Sequence, residues 1–491
     1  MIALLPLDNR PCNLRFPQQI AGIGNSELLV PPVELLGFFN TPGSSDALAN
    51  WLRDLPEVEA LIVSIDMLAY GGLVASRRPK VDVEQARQRL SALRIFHEKC
   101  PRVPIYAFNV LMRLAVTMDS DKAVANYYNV MRYARLVDEA ERFGSEHLRL
   151  ELAKVTEQIP PDVLQEYLAA RARNHSVNRL MVEWLGEGIF DSLLITQEDA
   201  TEFGLHRREQ DDLLKLAGEM NVGERFSLHP GADEAALTLL ARHWNTGVRL
   251  RVHWSNVRDS ARVAPFEDRP YNIALQQHIA AMRGRAVGEN EDADFELFVN
   301  APVGGSQKDE GEAERAIRHA GLRPFLREIA AAADAGAKIA VCDVGFPNGA
   351  DNMLMTELEE RNLLGRLSVF GGWNTAGNTT GTVLAQCAAL LRGGGATAIQ
   401  NRTFLFERYI DDWLYQARVR ARIEKIARDL GVSPLNMNDD YTQVEAQTRR
   451  ELTGLAQVLA KRHFGATLDE CRIALPWHRT FEVAFRATFK N

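Results

Sequence analysis

Short apolar segments alternate with helical patterns along most of this chain, and the alternation restricts its possible folds more than any other feature. Several segments are apolar at both odd and even positions, which is typical of strands buried on both faces of a sheet. The segments are IALLP (2–6), ELLVPP (27–32), ALIVSID (60–66), IYAFNV (105–110), SLLIT (192–196), RFSLH (225–229), VRLRVHW (248–254), FELFVN (295–300), KIAVCDV (338–344) and LSVFGGW (367–373).

Helical periodicity occupies many of the stretches between these segments, at residues 83–99, 207–220, 234–245 and 312–335. Strands that alternate with helices usually pair in parallel. We therefore expect an α/β protein with a parallel β/α barrel-like core, because about eight strand–helix units remain when ELLVPP and VRLRVHW are set aside. A doubly wound, two-lobed sheet is the alternative.

Two regions interrupt the alternation and define the expected domains. Residues 118–187 carry a charged helical pattern without a strand, which predicts a helical insertion interrupted at Pro160 and Pro161. The pattern is again mostly helical from residue 401 to residue 491. The sequence thus predicts an α/β core over residues 1–400, with the insertion inside it, and a mostly helical C-terminal region over residues 401–491 packed on the core.

Charge and cysteine usage exclude several classes of protein. A formal net charge of −8 argues against nucleic acid as a partner, because phosphate binders concentrate basic side chains. No apolar window approaches the ~20 residues of a membrane helix, and the N-terminal segment lacks the pattern of a signal peptide. The five cysteines form no CxxC pair, which suits a reducing cytoplasm. We expect a cytoplasmic protein without nucleic acid or membrane partners; the sequence carries no signal for its oligomeric state.

Polar side chains follow the early predicted strands where each strand ends. Asp8 and Arg10 lie between two prolines after the first strand, Asp66 ends the third, and Asn109 ends the fourth. Because the carboxyl ends of parallel strands converge on one crevice, we expect these side chains to bind substrate. The alternative for Asp8 is a turn stabilised by a salt bridge. The chain contains no glycine-rich nucleotide-binding motif, so a nucleotide cofactor is not expected.

Two pairs of adjacent acids follow later strands and are the catalytic candidates. Glu198 and Asp199 come directly after SLLIT, with His206 further on as a substrate-binding candidate. Asp233 and Glu234 follow RFSLH and precede a helix. The second pair has an alternative interpretation, because acids at a helix N-terminus bind amide donors and the helix dipole.

The last strand ends offer further polar groups for substrate binding. KIAVCDVGFPNGADN contributes Asp343, Asn348 and Asp351, and LSVFGGWNTAGN contributes Trp373, Asn374 and Asn378. Amides beside a tryptophan suit a sugar, which needs neutral hydrogen bonds and an apolar platform for its ring. The small residues that follow Trp373 also suit a helix cap.

Several longer motifs resemble a bacterial family catalogued as domain of unknown function four-one-two-seven. The resemblance extends over essentially the whole chain and implies no established activity. That family more often has Gln-Asp-Asp where this chain has Gln197-Glu198-Asp199, so the longer Glu198 side chain changes the geometry of that acidic pair. The motifs are PLDNRPCN, SIDMLAYGGLVASR, QED to GLHRRE, HPGADE, FPNGADNMLM, GGWNTAGNTTGT and LPWHRTFEV.

Paired strand-end acids favour a hydrolase that acts on a carbohydrate, most specifically a glycosidase of the N-acetylhexosamine type. In that chemistry one acid orients the substrate acetamido group and its neighbour is the general acid. No cofactor or metal is expected. A metal-dependent hydrolase or lyase that holds Mg²⁺ or Mn²⁺ through Asp8, Asp66, Asp343 and Asp351 is one alternative. A non-catalytic sugar-binding protein is another.

Overall fold

The computed structural model describes residues 1–305, 307 and 310–490, and divides them into two compact units. The first unit comprises Met1–Gln18, Ser26–His243 and Phe266–Asp268. The second comprises Gln19–Asn25, Trp244–Pro265 and the chain from Arg269 onward. Each unit contains its own parallel sheet.

The sheet of the first unit has six strands in the order β2-β1-β3-β4-β5-β6, and all neighbours pair in parallel. Every residue of β1, β3, β4 and β5 is buried, which explains why these segments are apolar at both odd and even positions. The strands are β1 (Ile2–Leu5), β2 (Leu28–Leu29), β3 (Ala60–Ser64), β4 (Ile105–Leu111), β5 (Ser192–Gln197) and β6 (Phe226–Pro230).

Helices follow or separate these strands, and three of them form the insertion predicted between β4 and β5. Proline is tolerated in the first turn of a helix because its missing N–H has no partner there, and the third helix of the insertion begins at Pro161. The helices are α1 (Pro11–Ile23), α2 (Ser45–Arg53), α3 (Ile65–Tyr70), α4 (Leu73–Ser76), α5 (Val83–Lys99), α6 (Ala123–Phe143), α7 (Glu146–Glu157), α8 (Pro161–Gly186), α9 (Leu205–Glu219) and α10 (Ala235–Trp244).

The sheet of the second unit has five parallel strands in the order β11-β10-β9-β7-β8. They are β7 (Arg249–Trp254), β8 (Arg285–Ala286), β9 (Phe295–Asn300), β10 (Ile339–Asp343) and β11 (Val369–Gly371). An antiparallel hairpin of β12 (Leu468–Ala474) and β13 (Ala484–Phe489) lies near the end of the chain.

The C-terminal part of the second unit is mostly helical, as the sequence predicts. Residues Tyr409–Val419 form a π-helix, in which hydrogen bonds skip one residue more than in an α-helix. The helices of this unit are α11 (Tyr271–Ala281), α12 (Glu312–Asp334), α13 (Asn352–Glu360), α14 (Ala376–Gly393), α15 (Ala398–Arg408), α16 (Arg420–Asp429) and α17 (Thr442–Phe464).

The α/β class, the parallel strands, the helical insertion and the helical C-terminal region are confirmed. The barrel-like core is not confirmed. The described strands of the two units form two open parallel sheets, and they form no closed barrel. VRLRVHW, set aside in the barrel count, is strand β7 and pairs on both sides. The alternation of strands with helices predicts that the strands are parallel. Which strands lie at the edges of a sheet depends on pairing between residues far apart in the chain. In the part of the chain that the structure describes, no helix is long and apolar enough to cross a membrane.

A buried arginine connects the helical insertion to the end of β4. The Arg171 guanidinium donates to the backbone carbonyls of Met112 and Arg113, both at 3.0 Å. Its Nε lies 2.6 Å from a carboxylate oxygen of Glu209, and the Arg171 side chain is only 4% exposed. Arg171 therefore positions the backbone of the segment that follows β4.

We predict that Arg171→Met lowers the free energy of unfolding by roughly 3–5 kcal/mol, because it leaves the mostly buried Glu209 carboxylate without its cation. The matched control is Arg132→Met, which removes the exposed partner of Glu151 at 3.4 Å and should cost less than about 1 kcal/mol. Urea unfolding followed by circular dichroism measures both values. Equal losses for the two variants would contradict the assigned role of Arg171.

Candidate functional site

The loop after β1 is organised by the Asp8 carboxylate. The strand ends at Leu5 and α1 begins at Pro11, so Asp8 lies in a short, stiff turn. One Asp8 oxygen accepts from the Arg10 backbone N–H and from the Asn13 side chain, both at 3.0 Å. The other accepts from Arg10 Nη2 at 2.7 Å. The turn thus places the buried Arg10 guanidinium directly beside the Asp8 carboxylate.

Arg10 and Asn13 also bind Asp233, which follows β6. Arg10 Nη2 lies 2.6 Å from Asp233 Oδ1 and Nη1 lies 3.2 Å from Oδ2, while the Asn13 amide donates to Oδ1 at 2.9 Å. Arg10 and Asp233 are 5% and 3% exposed. The loops after β1 and β6 therefore meet, although β3, β4 and β5 lie between these strands in the sheet.

Glu234, the next residue, is fully buried but is not part of this ion network. Its Oε2 accepts from the Ala232 backbone N–H at 2.8 Å, and its Oε1 has no hydrogen-bond partner among the described residues. Burial raises the pKa of Glu234 to about 8, and the charge of Asp233 contributes in the same direction. Glu234 is thus a protonated acid at neutral pH, directly beside an anion.

Gly231 makes room for the Glu234 side chain. Its φ of +131° lies in a region that favours glycine, and a Cβ at this position would collide with the Glu234 carboxyl group. The Gly231 backbone N–H donates to the Gln197 carbonyl at 2.9 Å, which continues the pairing of β5 and β6 beyond the strands. This contact places the loops after β5 and β6 side by side.

The loop after β5 carries the first predicted acidic pair, and both acids meet arginines. Glu198 Oε1 forms an ion pair with Arg77 and lies 3.9 Å from Arg113 Nη1. Asp199 forms an ion pair with Arg113 and has a φ of +22°, which is unusual for a residue other than glycine. Glu198 Oε2 is buried and has no hydrogen-bond partner in the described parts of the chain.

Asp66 lies in the first turn of α3, directly after β3, and accepts from the Val110 backbone N–H at 2.9 Å. Burial raises its pKa to about 7, opposed by this hydrogen bond and assisted by the charge of Glu198. Asp8, Asp66, Glu198, Asp199, Asp233 and Glu234 therefore lie at the carboxyl ends of β1, β3, β5 and β6 in the first unit.

Two other predicted binding residues of this unit have partners within the protein. The Asn109 amide donates to the Asn178 side chain on α8, so it connects β4 to the insertion. His206 is fully buried in the first turn of α9, where its Nε2 lies 3.7 Å from an oxygen of Asp268. These contacts place both side chains in the packing around the edge of the sheet.

The predicted acids of the second unit surround the ends of β9 and β10. Asp343 accepts from Asn300 at 2.8 Å and from the Asp351 backbone N–H at 2.7 Å. Asp351 in turn accepts from the Met353 backbone N–H at 2.9 Å and pairs with Arg318. Burial raises the pKa of Asp343 to about 7, with the charge of Asp351 as the next cause.

Trp373, Asn374, Asn378 and Asn348 lie near the N-terminus of α14 in the second unit. The Trp373 backbone N–H donates to the Thr379 hydroxyl at 3.0 Å, and its indole N–H donates to the Thr382 hydroxyl at 3.2 Å. The Asn374 carbonyl accepts from the Asn348 backbone N–H at 2.7 Å. The Thr382 hydroxyl donates to the Asn378 carbonyl at 2.9 Å. These hydrogen bonds close the loops after β10 and β11.

A cavity of about 440 Å³ also belongs to the second unit, and its lining includes Arg318, Asn352 and Glu310. Arg318 already pairs with Asp351 and, at 2.7 Å, with Glu310. Among its described lining residues no buried polar atom is left without a hydrogen bond. Glu198 and Glu234 of the first unit each have such an atom, so their strand ends are a better candidate site than this cavity.

Several residues of this site were not among the predicted site residues. Asn13 lies one helical turn after Arg10, a spacing visible in the sequence. Arg77 and Arg113 follow predicted strands, but they are 121 and 86 residues from the acids that they bind. No local pattern connects residues so far apart.

An α/β protein with paired acids and arginines at the carboxyl edge of a parallel sheet is thus the class that fold and site define. The family model described as "Protein of unknown function (DUF4127)" matches residues 2–486. The chain therefore belongs to this family, and the sequence resemblance is confirmed. No curated protein and no solved structure matches the chain.

We predict that Glu234→Gln flattens the pH dependence of stability between about pH 4.5 and pH 8. Folded Glu234 keeps its proton up to about pH 8, whereas its ordinary pKa is 4.5, so stability falls as pH rises through this window. The contribution of one such group is up to about 1.4 kcal/mol per pH unit. Urea unfolding at several pH values measures it, with exposed Glu157→Gln as the control. Equal slopes for wild type and Glu234→Gln would refute the protonated state.

Proposed function

We propose that this protein is a hydrolase that acts on a carbohydrate, specifically a glycosidase of the N-acetylhexosamine type, with Glu234 as its general acid. The observation that supports this most strongly is the contrast between two adjacent carboxyl groups. Asp233 is ion-paired with Arg10, whereas burial raises the pKa of Glu234 to about 8. The proposed mechanism requires one protonated acid, which donates its proton, and one ionised acid next to it.

In the proposed reaction Glu234 gives its proton to the glycosidic oxygen as the bond to the anomeric carbon breaks. The carbonyl oxygen of the substrate acetamido group attacks that carbon and forms a cyclic intermediate. Asp233 accepts the acetamido N–H and stabilises the positive charge that develops there. Glu234, now ionised, then removes a proton from the water that opens the ring, which restores the starting state.

Arg10 and Asn13 support Asp233 in this role. They donate three hydrogen bonds to its carboxylate, one of them from the Asn13 amide. The same donors hold the carboxylate in one orientation, which lowers the entropic cost of positioning the substrate.

Glu198 and Asp199 fit the acid role less well. Each is ion-paired with an arginine, Glu198 with Arg77 and Asp199 with Arg113. A neighbouring positive charge favours the ionised form of a carboxyl group. A general acid needs the opposite environment, which Glu234 has.

We predict that Glu234→Gln lowers kcat on an aryl N-acetylhexosaminide by about 10²–10⁴-fold, the usual contribution of a general acid. Asp233→Asn should also lower kcat, because the amide cannot balance the developing positive charge. The release of nitrophenol from gluco- and galacto-configured substrates measures both effects. Exposed Glu157→Gln is the control and should match wild type.

The same assay distinguishes the other candidate functions. Turnover that is lost in EDTA and restored by Mg²⁺ or Mn²⁺ would replace the proposal with a metal-dependent hydrolase. Binding of a sugar without turnover, unaffected by Glu234→Gln, would replace it with a sugar-binding protein. Full activity of Glu234→Gln would exclude Glu234 as the general acid.

A further inference from the structure

Three side chains at the carboxyl edge of the first unit meet at one oxygen. Arg77 pairs with Glu198 Oε1, and Arg113 Nη1 lies 3.9 Å from the same atom. The Arg77 and Glu198 side chains are only 7% and 9% exposed, and Arg113 is 13% exposed. This group of Arg77, Arg113 and Glu198 is called the arginine–glutamate cluster below.

Each member of the arginine–glutamate cluster carries a buried polar atom with no hydrogen-bond partner among the described residues. These atoms are Nε of Arg77, Nε of Arg113 and Oε2 of Glu198. Buried polar groups in native proteins are nearly always hydrogen-bonded, so a group of unpaired atoms needs an explanation. Two donors and one acceptor on touching side chains suggest a bound polar molecule that supplies the missing partners.

The charges of the cluster favour a neutral molecule. Glu198 balances Arg77, and Asp199 balances Arg113, so both cations already have an anion. A carboxylate or phosphate group would have to displace one of these acids and would be repelled by Glu198. A hydroxyl group accepts from a guanidinium N–H and donates to a carboxylate at the same time. Adjacent hydroxyl groups would therefore pair all three atoms.

We propose that the arginine–glutamate cluster binds adjacent hydroxyl groups of an uncharged sugar ring, and that Glu198 is a substrate-binding residue. The proposal rests on the proposed function, because the ring it binds would belong to the sugar that Glu234 helps to cleave. It also narrows the substrate class, since sugar acids and sugar phosphates are excluded as the group held here. The β5–β6 pairing that continues to Gly231 supports this, because it brings the loops of Glu198 and Glu234 together.

The test measures binding separately from turnover. Titration calorimetry on the full chain uses N-acetylglucosamine and N-acetylgalactosamine as neutral probes, with glucuronate and glucose 6-phosphate as charged ones. Glu198→Gln keeps the size of the side chain but weakens its acceptor. We expect it to weaken binding of the neutral sugar about tenfold or more, the usual effect of a lost hydrogen bond to a charged group.

Controls separate the two proposals. Glu187→Gln removes an exposed carboxylate 2.5 Å from Arg94 in the same unit and should bind as wild type does. Glu234→Gln should bind the neutral sugar as wild type does but should lose turnover. Unchanged turnover in Glu234→Gln would overturn the proposed function but not the hydroxyl-binding proposal. The 3-deoxy and 4-deoxy analogues of N-acetylglucosamine and N-acetylgalactosamine should bind wild type more weakly than the parent sugars, which tests the hydroxyl contacts without any variant.

Three results would overturn the hydroxyl-binding proposal. One is normal binding by Glu198→Gln, with thermal melting confirming that the variant is folded. Another is tighter binding of glucuronate or glucose 6-phosphate than of either neutral sugar. The third is no binding of either neutral sugar at millimolar concentration.

Discussion

The ion network around Arg10 is the interaction on which the carboxyl edge of the first unit depends. Arg10 lies between Asp8 and Asp233, and 223 residues separate it from the latter. A buried cation is tolerated only when it is paired, and the loss of one partner leaves the others unpaired. The network is complete only when the loops after β1 and β6 are both folded. It therefore couples the position of Asp233, and of Glu234 next to it, to assembly of the whole sheet.

Burial alone does not determine which acids hold protons, because every acid at this edge except Asp199 is buried. The position of each arginine makes the difference. Asp233 and Glu198 contact guanidinium groups, whereas burial and a neighbouring carboxylate raise the pKa values of Glu234 and Asp66 to about 8 and about 7. The edge thus contains two acids with raised pKa values and two acids that contact arginines. General acid catalysis uses a carboxyl group with a raised pKa in this way.

Much of the fold follows from local pattern, and much of the site does not. Helix α5 runs over Val83–Lys99 as its periodicity predicts, and each predicted strand is present. The hairpin of β12 and β13 was missed because exposed polar residues interrupt its strands, so no apolar run marks them. The acidic pairs were visible as strand-end residues, but the sequence does not show which arginines each acid contacts. Arg77 lies 121 residues from Glu198 in the chain and contacts it only in the folded protein, which a sequence pattern does not reveal.

The acids of the second unit illustrate why burial and a raised pKa are not enough to identify a catalytic group. Asp343 accepts from Asn300 and from two backbone N–H groups, those of Gly345 and Asp351. Asp412 accepts from the Gly372 backbone N–H at 2.9 Å and from Arg408 at 2.7 Å. Carboxylates that hold loops in place in this way stabilise the backbone and have little capacity left for a ligand. Glu198 and Glu234 of the first unit each retain a buried oxygen without a hydrogen bond, whereas Asp343, Asp351 and Asp412 do not.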